Sequence, residues 1–210
     1  VNRAASPTSS SRVPALWGCL GALAAAGVWA LLAPPERTLG DAIRLVYLHV
    51  SATMAGLTCL YVAGALGVAA SLLPVPRAER ALRPLWIAGM AAFVAGFLLS
   101  LVSARVSWGG VFWAEPRVRA SLGVLAVGLV ALAIDAGLSP ARARNLVWTA
   151  AAALAFLALR IAPLYMHPDH PVKEDTPLGI RAAFLGISAC WFVAALFLAR
   201  LLGEGETRGG

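Results

Sequence analysis

Charge is the scarcest commodity in this chain. Only 13% of its 210 residues are charged, against about 25% in an ordinary soluble domain, which excludes a water-covered globule of this size. Acidic residues are scarcer still, 10 against 17 basic ones, and 16 of those 17 are arginines, with Lys173 the exception. No carboxylate lies in the middle of an apolar run, so a proton-coupled transport path has no carrier. The three cysteines, Cys19, Cys59 and Cys190, all fall inside apolar runs and form neither C-x-x-C nor C-x-x-C-H. They read as small packed residues rather than as a redox or attachment motif. H-E-x-x-H, G-x-S-x-G and a phosphate-binding glycine-rich loop are all missing, and with them the common hydrolase, metalloprotease and nucleotide-binding chemistries.

Apolar sequence is what the chain has instead. Hydrophobic residues make up 60% of it and the mean hydropathy is +0.80. A spanning helix needs about 20 apolar residues, and six segments meet or approach that length: Pro14–Leu32, Ile43–Leu73, Leu85–Val106, Val118–Leu138, Leu146–Ala162 and Leu178–Leu202. Prolines 34, 35, 74, 140 and 163 stand at their ends, where a helix must stop. The expected fold is all-α, a single six-helix membrane domain over 14–202 with disordered tails at 1–13 and 203–210. The polar, Ser-rich start followed by an apolar run resembles a signal peptide, but Ala33-Pro34-Pro35 makes a poor cleavage site, so the first run reads as a retained span.

An even number of spans puts both termini on one side. Nine arginines fall on that side and seven arginines plus Lys173 on the other, so the count alone does not orient the chain. The termini side carries the short connecting loops around Arg77–Arg83 and Arg142–Arg144, which places it in the cytoplasm. The net charge of +7 then belongs to arginines at span ends, where they reach lipid phosphates, and does not indicate a nucleic-acid partner. Trp17, Trp86 and Trp148 are expected in a cytoplasmic aromatic belt and Trp29 in the outer one. Asp135, near a cytoplasmic span end, is expected to be solvated. The second span is too long for a bilayer core of about 30 Å, so its first two turns, with Arg44, Tyr47 and His49, are expected to stand above the membrane.

Three segments converge on the outer side: Arg44-Leu-Val-Tyr47-Leu-His49, Trp108-Gly109-Gly110-Val111-Phe112-Trp113-Ala114-Glu115-Pro116-Arg117, and Leu164-Tyr165-Met166-His167-Pro168-Asp169-His170. Together they contain all three histidines of the chain. Neutral imidazole ligates transition metals and haem iron. Trp108, Phe112 and Trp113 offer flat apolar surface to a planar ligand, and Arg44, Arg105, Arg117 and Arg119 suit carboxylates such as haem propionates. A zinc site built from His49, His167, His170 and one acid is the alternative for the histidines, though it leaves the tryptophan-containing loop without a use. Two further functions compete. A b-type cytochrome passing electrons would normally place histidine pairs within the spans, which have none. A cofactor-free solute transporter would show an internal repeat or a polar midplane site.

These segments resemble the CcmC-type haem-handling proteins of cytochrome c maturation, relatives of the CcsA-type synthase subunits, over about Leu32 to Leu202. The His49 segment is similar to the family's histidine segment ahead of its second span, with Ser51 where a proline often follows. The stretch from Trp108 to Arg117 resembles the family's tryptophan-rich motif, placed between spans three and four. Phe112, Ala114 and Glu115 stand where the family usually has Trp, Trp and Asp, and Pro116 resembles the synthase version. Leu164–Pro168 is similar to a shortened second histidine loop. The resemblance implies non-covalent b-type haem held at the outer face, with His49 and His167 as axial ligands and Trp108–Trp113 as platform. His170 is the alternative to His167. It implies haem transport rather than enzymatic conversion, in the bacterial inner membrane. The implied partners are an ATP-binding-cassette (ABC transporter) subunit pair, a small membrane subunit and a membrane-anchored haem chaperone.

Overall fold

The computed structural model describes residues 12–73, 75–163 and 177–206. Six helices run through them: α1 Arg12–Leu32, α2 Ile43–Leu72, α3 Pro76–Trp108, α4 Pro116–Gly137, α5 Ala141–Ile161 and α6 Leu178–Glu206. All six are long and apolar enough to cross a membrane, and the only non-helical pairing among the described residues is an isolated bridge between Glu36 and Gly40. The chain is therefore an all-α multi-pass membrane protein. In lipid this is the economical choice, because a helix satisfies its own backbone.

Three boundaries differ by more than two residues from those read in the sequence. α3 starts at Pro76 rather than Leu85, because Pro84 lies buried inside the helix instead of ending it. Pro84 removes one backbone bond near the helix's polar end, where other groups can solvate the freed carbonyl. α5 starts at Ala141, directly after Pro140 at its N-cap, so Arg142 and Arg144 are helical. α6 continues to Glu206, and an Arg200–Glu204 pair at 3.1 Å supports its last turns. The remainder of the expected tails, 1–11 and 207–210, lies outside the described residues.

The two longest helices, α2 and α3, form the antiparallel centre of the bundle. Glycines bring them together. A Cβ on Gly56 would stand 2.6 Å from the Phe93 nitrogen, and one on Gly96 would stand 2.7 Å from the Thr53 nitrogen, so only hydrogen fits at either place. α5 packs against α2, and α4 against α5, with α4 touching α3 little. On the other flank α6 contacts α1, α2 and α3. One core joins α2 to α5, with Leu60, Trp86, Phe93, Val124 and Trp148 at its centre, and a second joins α1, α2 and α6 around Tyr47 and Ile187.

Two expectations about polar and aromatic residues are corrected. Trp86 and Trp148 are not belt residues: each is 1% exposed, and their rings pack against each other with centroids 5.0 Å apart. The Trp86 indole donates to the Gly128 carbonyl at 3.3 Å, which meets the need of a buried Nε1. Trp17 and Trp29 are exposed on the bundle surface, as a belt position requires. Asp135 is not solvated either. Its side chain is 9% exposed and lies between Arg83 at 3.4 Å and Arg144 at 3.9 Å, so one acid ties α3, α4 and α5 together at that end.

Candidate functional site

His49 occupies the seventh position of α2, about 9 Å below the helix start. Its Nδ1 lies 3.2 Å from the Leu45 carbonyl oxygen, one turn earlier. A carbonyl can only accept, so Nδ1 is the donor in this bond, and in a neutral imidazole the lone pair would then be on Nε2. The bond also turns the imidazole back toward the N-terminal end of α2, the direction in which helical side chains lean. The helix around it is rigid: Tyr47 and Ser51 are fully buried, and the Ser51 hydroxyl is hydrogen-bonded to Ser188 of α6 at 2.9 Å.

The aromatic loop begins where α3 ends. Gly109, with φ +77°, closes α3 in the left-handed conformation and donates to the Arg105 carbonyl at 3.0 Å. A residue with a side chain resists this conformation. The chain then folds back: the Glu115 amide donates to the Phe112 carbonyl at 3.0 Å, and the buried Glu115 carboxylate accepts from the Val118 amide at 3.3 Å at the N-terminus of α4. Pro116 follows at N1, where its missing N–H costs nothing. Trp108, Phe112 and Trp113 are 42%, 43% and 56% exposed, and the first two meet edge to face with centroids 6.4 Å apart. The loop therefore presents its rings outward instead of folding them into the core.

His49 and this loop share one end of the bundle but not one height. The His49 carbonyl would be 3.0 Å from a Cβ on Gly96, and Trp108 lies twelve residues, about 18 Å of helix, farther along α3. Gly128 of α4 packs against Met90, which sets Pro116 about 9 Å above the same level. The loop thus stands above the level of the histidine, at the end of the bundle toward which the imidazole leans.

The arginines divide. Arg44 is committed to the α1–α2 connection: its Nε donates to the Ala33 carbonyl at 3.1 Å and it pairs with Asp41 at 3.1 Å. Both contacts fasten the head of α2. In the same connection Glu36 accepts from the Leu39 and Thr38 amides at 2.9 and 2.8 Å, and these bonds hold its carboxyl below the usual carboxylate range. Arg105 and Arg119 are exposed. Arg117 is different: it is half-buried, and its Nε is shielded from solvent without a hydrogen-bond partner. Tyr61 of α2, whose ring meets Phe156 of α5 edge-on with centroids 5.8 Å apart, was not singled out from the sequence, where it is one aromatic residue in an apolar run with no signal to separate it from packing. His167 and His170, with the rest of 164–176, lie outside the described residues. No protein-family model matches the chain, and no curated protein matches it in sequence.

Proposed function

We propose that the chain is a haem-handling membrane protein of the CcmC type, which holds haem as cargo at the outer end of the bundle. His49 is the observation that carries this reading. It sits on a deeply packed helix, its Nδ1 is hydrogen-bonded to its own helix, and its ring leans toward the end of the bundle that carries the loop of exposed aromatic residues. An imidazole with an Nε2 lone pair is a suitable axial ligand for haem iron, and the backbone bond at Nδ1 fixes the tautomer and the ring plane. Trp108, Phe112 and Trp113 supply apolar surface for the porphyrin face. Arg117 supplies a positive charge, held partly away from water, for a propionate.

The second axial ligand in this proposal is His167, with His170 as the alternative, both taken from the sequence. A ligand on a packed helix opposite one on a connecting segment suits a carrier, which must hold its cargo firmly on one side and release it on the other. The outer end faces away from the cytoplasm of a bacterium, in its inner membrane. Haem passes from there to a membrane-anchored chaperone, and an ABC transporter subunit pair and a small membrane subunit act with the chain. The test is to replace each histidine singly by Ala, purify the protein in detergent and record its absorption spectrum together with cytochrome c formation in cells. His49→Ala and His167→Ala should each abolish a bis-imidazole Soret spectrum, and His170→Ala should keep it. Loss with His170→Ala alone reassigns the second ligand, and a parent protein that binds no haem refutes the function.

A further inference from the structure

The opposite end of the bundle carries a charged corner that the haem reading does not use. α3 and α5 start there and α4 ends there. Asp135 joins the three helices: it takes Arg83 at 3.4 Å on one oxygen and Arg144 at 3.9 Å on the other. Two cations on one acid leave a net positive charge. The acid between them is covered, while the side chains of Arg83 and Arg144 are 47% and 43% exposed. Arg77, Arg80 and Arg142 stand exposed within two turns, and Glu79 is the one other acid in these segments. Five arginines against two acids make the corner a receptor for anions. α5 adds to it, because it begins after Pro140 with no side-chain cap and no acid in its first turn. Its first backbone N–H groups need acceptors from outside the helix.

The shared carboxylate sets this pair apart from the other arginines. An exposed arginine at a span end swings freely, and fixing it on a ligand costs side-chain entropy. Asp135 holds Arg83 and Arg144 before any ligand arrives, so less freedom is lost when they close on a phosphate. What adjoins the pair selects the anion. Ile134, next to Asp135, and Val130 form an exposed apolar row on α4. Leu146, two residues after Arg144, begins another on α5 with Leu154 and Leu157. Both rows run from the arginines into helices long and apolar enough to cross a membrane. A soluble phosphate uses the arginines alone, whereas an amphiphile uses the arginines and the rows. A headgroup ammonium meets arginines and a carboxylate that two of them already engage, so an acidic headgroup is favoured over a zwitterionic one.

We propose that Arg83 and Arg144, aligned by Asp135, form a discrete site for the phosphate of one acidic phospholipid, whose chains lie along the exposed rows of α4 and α5. Contact between span-end arginines and lipid phosphates is otherwise diffuse, shared by every arginine at that height. This site belongs to two of the five arginines, because only these two meet a common acid, and planar guanidinium groups suit the paired oxygens of a phosphate. Asp135 is its positioning residue. The proposal stands independently of the haem reading.

Native mass spectrometry tests it, on the full chain released from detergent micelles that hold equal amounts of dioleoyl phosphatidylglycerol and dioleoyl phosphatidylethanolamine. The parent should retain a single phosphatidylglycerol, preferred about tenfold over phosphatidylethanolamine, the effect of hydrogen bonds to a charged group. Arg83→Gln and Arg144→Gln should each remove the preference. Arg77→Gln, which takes the same charge from the same end, should keep it. Arg144→Lys retains a cation beside Asp135 and serves where the Gln variants do not accumulate; its point charge in place of a planar fork should cut the preference severalfold. Equal retention of the two lipids by the parent overturns the site. So does an Arg77→Gln loss as large as that of Arg144→Gln, or an Arg144→Lys protein with the parent's preference. Release of phosphatidylglycerol by an equal concentration of glycerol 1-phosphate, the headgroup phosphate without chains, overturns the lipid assignment in favour of a soluble phosphate ligand.

Discussion

A single methyl group on Gly96 tests how the candidate ligand His49 is held. A Cβ there would lie 2.7 Å from the Thr53 nitrogen and 3.0 Å from the His49 carbonyl oxygen, and closer still to the Thr53 hydroxyl. The hydroxyl can rotate away, but the two backbone atoms cannot. Ordinary contact between such atoms needs about 3.5 Å or more, so α2 must withdraw from α3 by nearly 1 Å. Overpacking of this kind costs about 1–3 kcal/mol, and alanine returns up to about 1 kcal/mol through its better helix propensity. Gly96→Ala should therefore destabilise by about 1–2 kcal/mol. For a chain of this size each kcal/mol moves the thermal midpoint by about 2–4 °C, so the midpoint should fall by several degrees. Gly123 of α4 is the internal control, because a Cβ there meets nothing within 4 Å. Gly123→Ala should leave the midpoint unchanged or raise it slightly. Tryptophan fluorescence of the purified protein on heating reads both, and a haem titration reads whether the displaced His49 still binds. A Gly96→Ala midpoint at or above that of the parent would refute the claim that this contact sets the α2–α3 spacing.

Three further outcomes follow from the same geometry. Asp135→Asn should loosen the junction of α3, α4 and α5 by only about 1 kcal/mol, because its partners Arg83 and Arg144 are 47% and 43% exposed and water takes over much of their solvation; a loss of expression would show that the acid carries more. Glu36 titrates low in the folded chain because the Leu39 and Thr38 amides bond its charged form. Its contribution is therefore complete above the ordinary carboxylate range and fades as the pH falls through and below about 4. Hydrogen exchange at Thr38 and Leu39, corrected for intrinsic rates, should accelerate on acidification in the parent, and Glu36→Gln should exchange fast at every pH. For orientation, a single cysteine placed at Gly110 in a cysteine-free background should react with an impermeant thiol reagent from outside intact cells, and reaction only after the membrane is opened would invert the topology.

Much of the architecture was legible because lipid makes simple demands. Run length, proline position and the scarcity of charge locate all six helices, while the starts of α3 and α5 lie earlier than read, at Pro76 and Ala141. The candidate site was legible in part. His49, the aromatic loop and Arg117 stand out as polar or aromatic breaks in apolar text, and the structure places them at one end of the bundle. Arg44 looked like the others and proved to fasten a turn.

What the sequence by itself determined is the number of spans, their approximate limits and the shared end of His49 and the Trp108–Trp113 loop. Which helix lies against which was decided only in the tertiary structure: α4 on α5 rather than on α3, and α6 against α1, α2 and α3. So were the burial of Trp86 and Trp148 and the enclosure of Asp135. The physical reason is that a helix in lipid is apolar on every face. Hydrophobicity then marks a residue as fit for the membrane without saying whether it will meet a lipid chain or another helix. The choice is made by small residues that let backbones approach and by the few polar groups that must find partners. Those terms depend on pairs of residues distant in the chain, such as Gly96 with Thr53 or Ser51 with Ser188, and a pair is visible only once the helices have met.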